Sequence, residues 1–168
     1  MKERLENRKI KLLTGLAGFF TAGYLIIGPG VHELSHLFVI WPSGCEYIFR
    51  PGLNLFTGFR ASYELSCSAK PYLLSLFYFS GYIGTTLSSL TAFYLSSKSD
   101  KWKSSLLSSL GTGMLLSIVS SISLKGDVFN GLKAFGLEAH ADLIELLSIS
   151  FVLIITLIEV ERHHYSNS

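Results

Sequence analysis

The sequence predicts an all-α polytopic membrane protein of about four transmembrane helices, with a small β-hairpin in its first external loop. Three observations carry this expectation. The chain is 49% hydrophobic and only 15% charged, its mean hydropathy is +0.43, and its charges are gathered between long uncharged runs. Such a balance is too apolar for an ordinary water-soluble domain. The 168 residues read as a single membrane domain, because the loops between the apolar runs are too short to hold a second one.

The spans follow from the charge pattern. Asp, Glu, Lys and Arg are absent from Leu12 to His32, from Pro71 to Ser97 and from Ser104 to Leu124. Each run is long enough to cross a hydrocarbon core of about 30 Å as a helix. A fourth segment, Leu143 to Val160, is interrupted by Glu145 and Glu159, which fits a tilted or partly interfacial helix. The expected spans are therefore residues 12–40, 71–97, 104–124 and 143–160. The first apolar run has the basic start of a signal peptide, but no small-residue cleavage site follows it, so it is read as an uncleaved helix.

Basic residues set the orientation. Lys2, Arg4, Arg8, Lys9 and Lys11 precede the first span, and Lys98, Lys101 and Lys103 lie between the second and third; both groups belong on the cytoplasmic side. Four spans then place both termini in the cytoplasm of a multi-pass protein of the cell membrane. The segments from about Trp41 to Lys70 and from about Lys125 to Asp142 are left outside. A net charge of +2 is too small to indicate a nucleic-acid partner. In the first external loop, Cys45 to Phe49 and Phe59 to Ser66 have strand-compatible composition, and Pro51, Gly52, Asn54 and Gly58 punctuate the stretch between them. The expected hairpin is either a lid on helix ends or a strand edge on which an unwound substrate pairs. Cys45 and Cys67 both fall in this loop, where an oxidising compartment permits a disulfide.

The chemistry is concentrated in Val31-His32-Glu33-Leu34-Ser35-His36, which directly follows Gly28-Pro29-Gly30. The Gly-Pro-Gly triplet is expected to break or kink the first span so that the motif begins a fresh helical segment. On a helix, His32 and His36 share a face, and their imidazoles converge on one metal ion, best suited to Zn²⁺ at one per chain. Glu33 lies beside them as the general base, placed to take a proton from water and return it to the leaving amine. An H-E-x-x-H arises by chance in roughly one such sequence per hundred. Three ionisable groups at lipid depth cost about 2.5 kcal/mol or more each, which argues that they are there for function.

A catalytic zinc site needs a third protein ligand. The motif lies at the external end of the first span, and the third span runs outward again to end near Leu124. Asp127, in Gly126-Asp127-Val128-Phe129-Asn130-Gly131, emerges on the same side and is the expected ligand, its alternative role being a helix N-cap. Asn130 lies one turn further on that face, placed to hydrogen-bond substrate backbone or to orient the carboxylate. The rival ligand is Glu138, in Glu138-Ala139-His140-Ala141-Asp142, which resembles the E-x-x-x-D element of membrane gluzincin proteases of the CAAX-processing type.

The H-E-x-x-H segment, followed by Gly44 and a strand-like stretch, resembles the site-2 protease family, and Gly126 to Asn130 is similar to that family's second motif. The resemblance covers roughly Gly28 to Leu137. It implies a three-helix membrane core, intramembrane proteolysis of transmembrane protein substrates, zinc on His32, His36 and Asp127, and Glu33 as base. The chain departs from the family pattern where Val128 follows Asp127 and where Ser35 stands before the second histidine. Three functions follow as expectations: a zinc endopeptidase acting within or next to the bilayer, a gluzincin protease using Glu138, and a non-catalytic metal-binding membrane protein.

Overall fold

A computed structural model describes residues 2–54, 58–65, 70–121 and 126–166. The chain is mostly helical. Helix α1 (Lys2–Ala22) passes through a π-helical turn (Gly23–Ile27) into α2 (Gly28–Ile40), and a 3₁₀ turn (Trp41–Ser43) ends that first rod. Strands β1 (Tyr47–Asn54) and β2 (Gly58–Leu65) follow, then α3 (Pro71–Ser97), α4 (Lys101–Ser121), the short α5 (Asp127–Lys133), a 3₁₀ turn (Glu138–His140) and α6 (Ala141–Ser166).

Among the described residues, two stretches are long and apolar enough to cross a membrane: Lys9–Ser43, 35 residues whose most apolar 18-residue window has mean hydropathy 1.7, and Glu138–Glu159, 22 residues whose corresponding window reaches 2.3. The second contains the segment that Glu145 and Glu159 interrupt. α3, which is uncharged, and α4, which is uncharged after Lys103, are long helices but do not reach the same apolarity. Serine and threonine dilute them, and many of those hydroxyls bond to the preceding turn, as in Thr85 to Gly81 O (2.9 Å) and Ser89 to Thr85 O (2.9 Å). A run without charge and a run of high hydropathy are different properties, and this chain separates them.

The expected break at Gly28-Pro29-Gly30 takes a different form. Pro29 lacks an N–H and cannot continue the i→i−4 ladder. The helix answers by widening: Gly28 N–H bonds to Gly23 O, a five-residue step, and the axis continues into α2. The wide turn is seated on α4, where a Cβ at Gly23 would run into Leu110 O and one at Gly28 into the Ser117 hydroxyl. On the other side a Cβ at Gly113 would strike Phe20 O. Glycine on both partners thus lets the first rod and α4 approach backbone to backbone, the contact that packing in lipid favours.

The expected hairpin is present as an antiparallel pair from Tyr47↔Leu65 to Asn54↔Gly58. β1 is longer than expected, running through Pro51 and Gly52 instead of stopping at Phe49. In a two-stranded sheet both strands are edges, so the missing proline N–H is tolerated. β2 lies against α2 and the π-helical turn rather than only over helix ends. Cys45 is disulfide-bonded; Cys67 and Lys125 lie outside the described residues.

Two apolar clusters hold the bundle: Phe93, Leu115, Ile118 and Val152 join α3, α4 and α6, while Val128, Leu132 and Ala141 join α5 to the start of α6. Tyr82 packs against both clusters. α5 is thereby pinned between α3 and α6, which fixes the position of its first residue, Asp127.

Candidate metal centre

His32, Glu33 and His36 occupy the buried face of α2, with relative exposures of 5%, 8% and 2%. Helical pitch brings the two imidazoles edge to face, centroids 4.8 Å apart and planes at 81°. The third member comes from α5. Its N-cap is Gly126, which makes no side-chain cap bond, so Asp127 sits in the first turn with its carboxylate free to leave the helix. Asp127 Oδ2 accepts hydrogen bonds from His32 Nε2 at 2.8 Å and from His36 Nε2 at 3.2 Å. The alternative role of Asp127 as an N-cap is not adopted.

One ligand atom from each of His32, His36 and Asp127 lies within 4.8 Å of the others. A tetrahedral zinc with bonds of about 2.0–2.1 Å separates its ligands by roughly 3.3 Å. The 2.8 and 3.2 Å His–Asp distances are already close to that edge, and two imidazoles with one carboxylate match zinc chemistry. The tautomer of His36 fits as well. Its Nδ1–H donates to Phe77 O at 2.6 Å, so the proton that Nε2 directs at Asp127 is the one a metal would displace, and the carbonyl is the usual support for a ligating histidine.

α3 builds the rest of the seat. Gly81 faces the His32 ring so closely that a Cβ there would lie 2.5 Å from Nε2 and Cε1. Tyr82 meets the same ring edge to face at 4.9 Å. One turn along, Gly84 makes room for Ser35, which bonds back to Val31 O at 2.7 Å. From the base of α3 the Ser75 hydroxyl donates to Gly131 O, tying α5 in place. Burial works against ionisation of Asp127, but the hydrogen bonds from His32 and His36 outweigh it and hold its carboxyl well below the usual carboxylate range.

Glu138 and His140 are exposed in the 3₁₀ turn that follows α5, and among the described residues neither joins the His–His–Asp group. Asn130 is half-buried on α5, as expected one turn beyond Asp127. Sequence reading missed the Phe77 carbonyl, Tyr82 and the closeness of Gly81. The spacing of Gly81 and Gly84, which mirrors His32 and Ser35 on the facing helix, was the available signal. The chain matches no family model, no curated protein and no solved structure, so the reading of this centre rests on its geometry.

Proposed function

We propose that the chain is a zinc-dependent endopeptidase that hydrolyses peptide bonds within or next to the membrane, in the manner of site-2 proteases. The observation that carries this reading is the convergence of His32, His36 and Asp127, from two separate helices, beside the buried Glu33. Convergence of Asp127 rather than Glu138 favours the site-2 arrangement over the gluzincin one.

A zinc ion held there would supply Lewis acidity to a bound water and to the scissile carbonyl. The protein's own part is to hold and move protons. Phe77 O fixes His36 with its Nε2 toward the centre, Gly81 and Tyr82 fix His32, and Glu33 accepts the proton of the attacking water and passes it to the departing amine. Asn130, on the same helix as Asp127, is the proposed contact for substrate backbone. β2 along α2 offers a strand edge beside the centre.

Four spans, with α2, α3 and the α4–α5 region as the catalytic core, are part of the same proposal. The surface supports it. On α3 the exposed residues Tyr72, Leu76, Ile83, Leu87, Leu90 and Tyr94 form a helical stripe, while Ser75, Ser80, Thr85, Ser89 and Ser96 are buried. Large apolar side chains outside and hydroxyls inside suit lipid as the solvent. Topology by basic residues puts both termini in the cytoplasm and the centre near the external face, open to transmembrane protein substrates.

The deciding experiment is Glu33→Gln in purified protein, read by metal content and by cleavage of a model transmembrane substrate. Zinc should stay bound while cleavage falls by at least about 100-fold, the low end of general acid–base contributions. Undiminished cleavage by that variant refutes the assigned base. Zinc binding with no hydrolysis by the unaltered chain points instead to a non-catalytic metal-binding protein.

A further inference from the structure

The seam between α2 and α3 does not end at the metal centre. Beyond His36, toward the external end, it opens into a groove of about 730 Å³. Phe38 and Val39 of α2 form one wall and Leu73 and Leu76 of α3 the other, while Ser43, Gly44, Cys45 and Lys70 line the outer end. Polarity is therefore graded along the groove, from hydroxyl, backbone and ammonium at the mouth to hydrocarbon below. Lys70 is the one charged residue among the described lining residues. It is exposed, with Nζ 6.0 Å from the Tyr72 ring centroid.

We propose that this groove seats one anionic phospholipid, its phosphate on Lys70 and an acyl chain along Phe38, Val39, Leu73 and Leu76. Charge complementarity selects the headgroup, because the Lys70 ammonium at the mouth, with no carboxylate partner among the described residues, faces the depth at which lipid phosphates lie. Flanking aromatics set that depth: Trp41 is 74% and Tyr72 60% exposed at the same end, the placement of residues at a membrane–water boundary. The lower walls explain why the occupant is a lipid and not a peptide segment. A peptide brings an N–H and a C=O with every residue, and Phe38, Val39, Leu73 and Leu76 offer those groups no side-chain partner. Phe38, 74% exposed, opens the groove sideways, as entry from a leaflet requires.

The groove floor adjoins the centre. Leu76 precedes Phe77, whose carbonyl orients His36, so the seated chain bears on the wall that aligns a ligand. The proposal rests on the reading of α2 and α3 as membrane-spanning, and not on peptide hydrolysis.

The test uses Trp41 as reporter. Of the two tryptophans, Trp102 is removed by Trp102→Phe, and the full chain is reconstituted in phosphatidylcholine bilayers. Brominated phosphatidylglycerol or, at the same mole fraction, brominated phosphatidylcholine then quenches Trp41. Phosphatidylglycerol should be preferred roughly fivefold, the size expected for one basic side chain against anionic lipid. Lys70→Gln should abolish the preference and Lys70→Arg retain it. Equal quenching by the two lipids overturns the proposal, as does a preference that survives Lys70→Gln. A chain that is monodisperse without detergent and does not enter bilayers overturns the membrane reading with it, a result distinct from absent selectivity.

Discussion

His32 and His36 were legible because their chemistry and their spacing are local: four residues on a helix fix a shared face whatever surrounds it. Asp127 was legible only through topology, since nothing in Gly126-Asp127-Val128 alone separates a ligand from a cap. The proposed ligand role can be tested directly. Asp127→Ala should reduce zinc affinity by more than the about 10- to 100-fold typical of outer-shell changes, while Glu138→Ala, on an exposed turn, should leave metal content unchanged. The reverse ranking in metal analysis would move the centre to Glu138. The Phe77 carbonyl and Gly81 left no mark in sequence because a backbone oxygen and an absent side chain have no pattern of their own. Gly81→Val, which adds a branched side chain where even a Cβ would meet the His32 ring, should weaken zinc binding by about 10- to 100-fold without touching any ligand. Unchanged affinity in a metal titration would show that His32 does not depend on that close approach.

Among the elements, the hairpin, the long helices and the discontinuity near Pro29 were all foreseen, and each differs from expectation for a local reason. β1 continues through Pro51 because an edge strand does not need every N–H. The discontinuity is a widened turn rather than a kink, because neighbouring glycines let α4 support it. Charge and hydropathy order the apolar segments differently: α6 is the more hydropathic helix in spite of Glu145, and serines dilute both α3, which carries no charge, and α4, which carries none after Lys103. The support from α4 is testable. Gly23→Leu places a side chain against Leu110 O and should destabilise the protein by about 1–3 kcal/mol, as overpacking does. A thermal midpoint in detergent equal to that of the unaltered chain would mean that the two backbones do not pack this closely.

At the scale of the whole molecule, large apolar side chains lie on the outside of α1, α2, α3 and α6, while His32, Glu33, His36 and a set of hydroxyls including Ser75, Ser80, Thr85, Ser89 and Ser117 lie within. In water such a surface would associate; in a bilayer it is the expected arrangement. Membranes washed with high salt or alkaline carbonate should therefore retain the protein, and detergent should release it. Release by carbonate alone would mean that these helices do not span a bilayer. The widened turn between α1 and α2 adds a last consequence. A five-residue step holds one residue more than the regular coil, so everything on its N-terminal side is rotated by about 100° from where a uniform helix would put it. Deleting a single residue between Gly23 and Ile27 should leave two sound helices that are out of phase: the histidines would still face α3, while the glycine-to-backbone fit with α4 would point elsewhere.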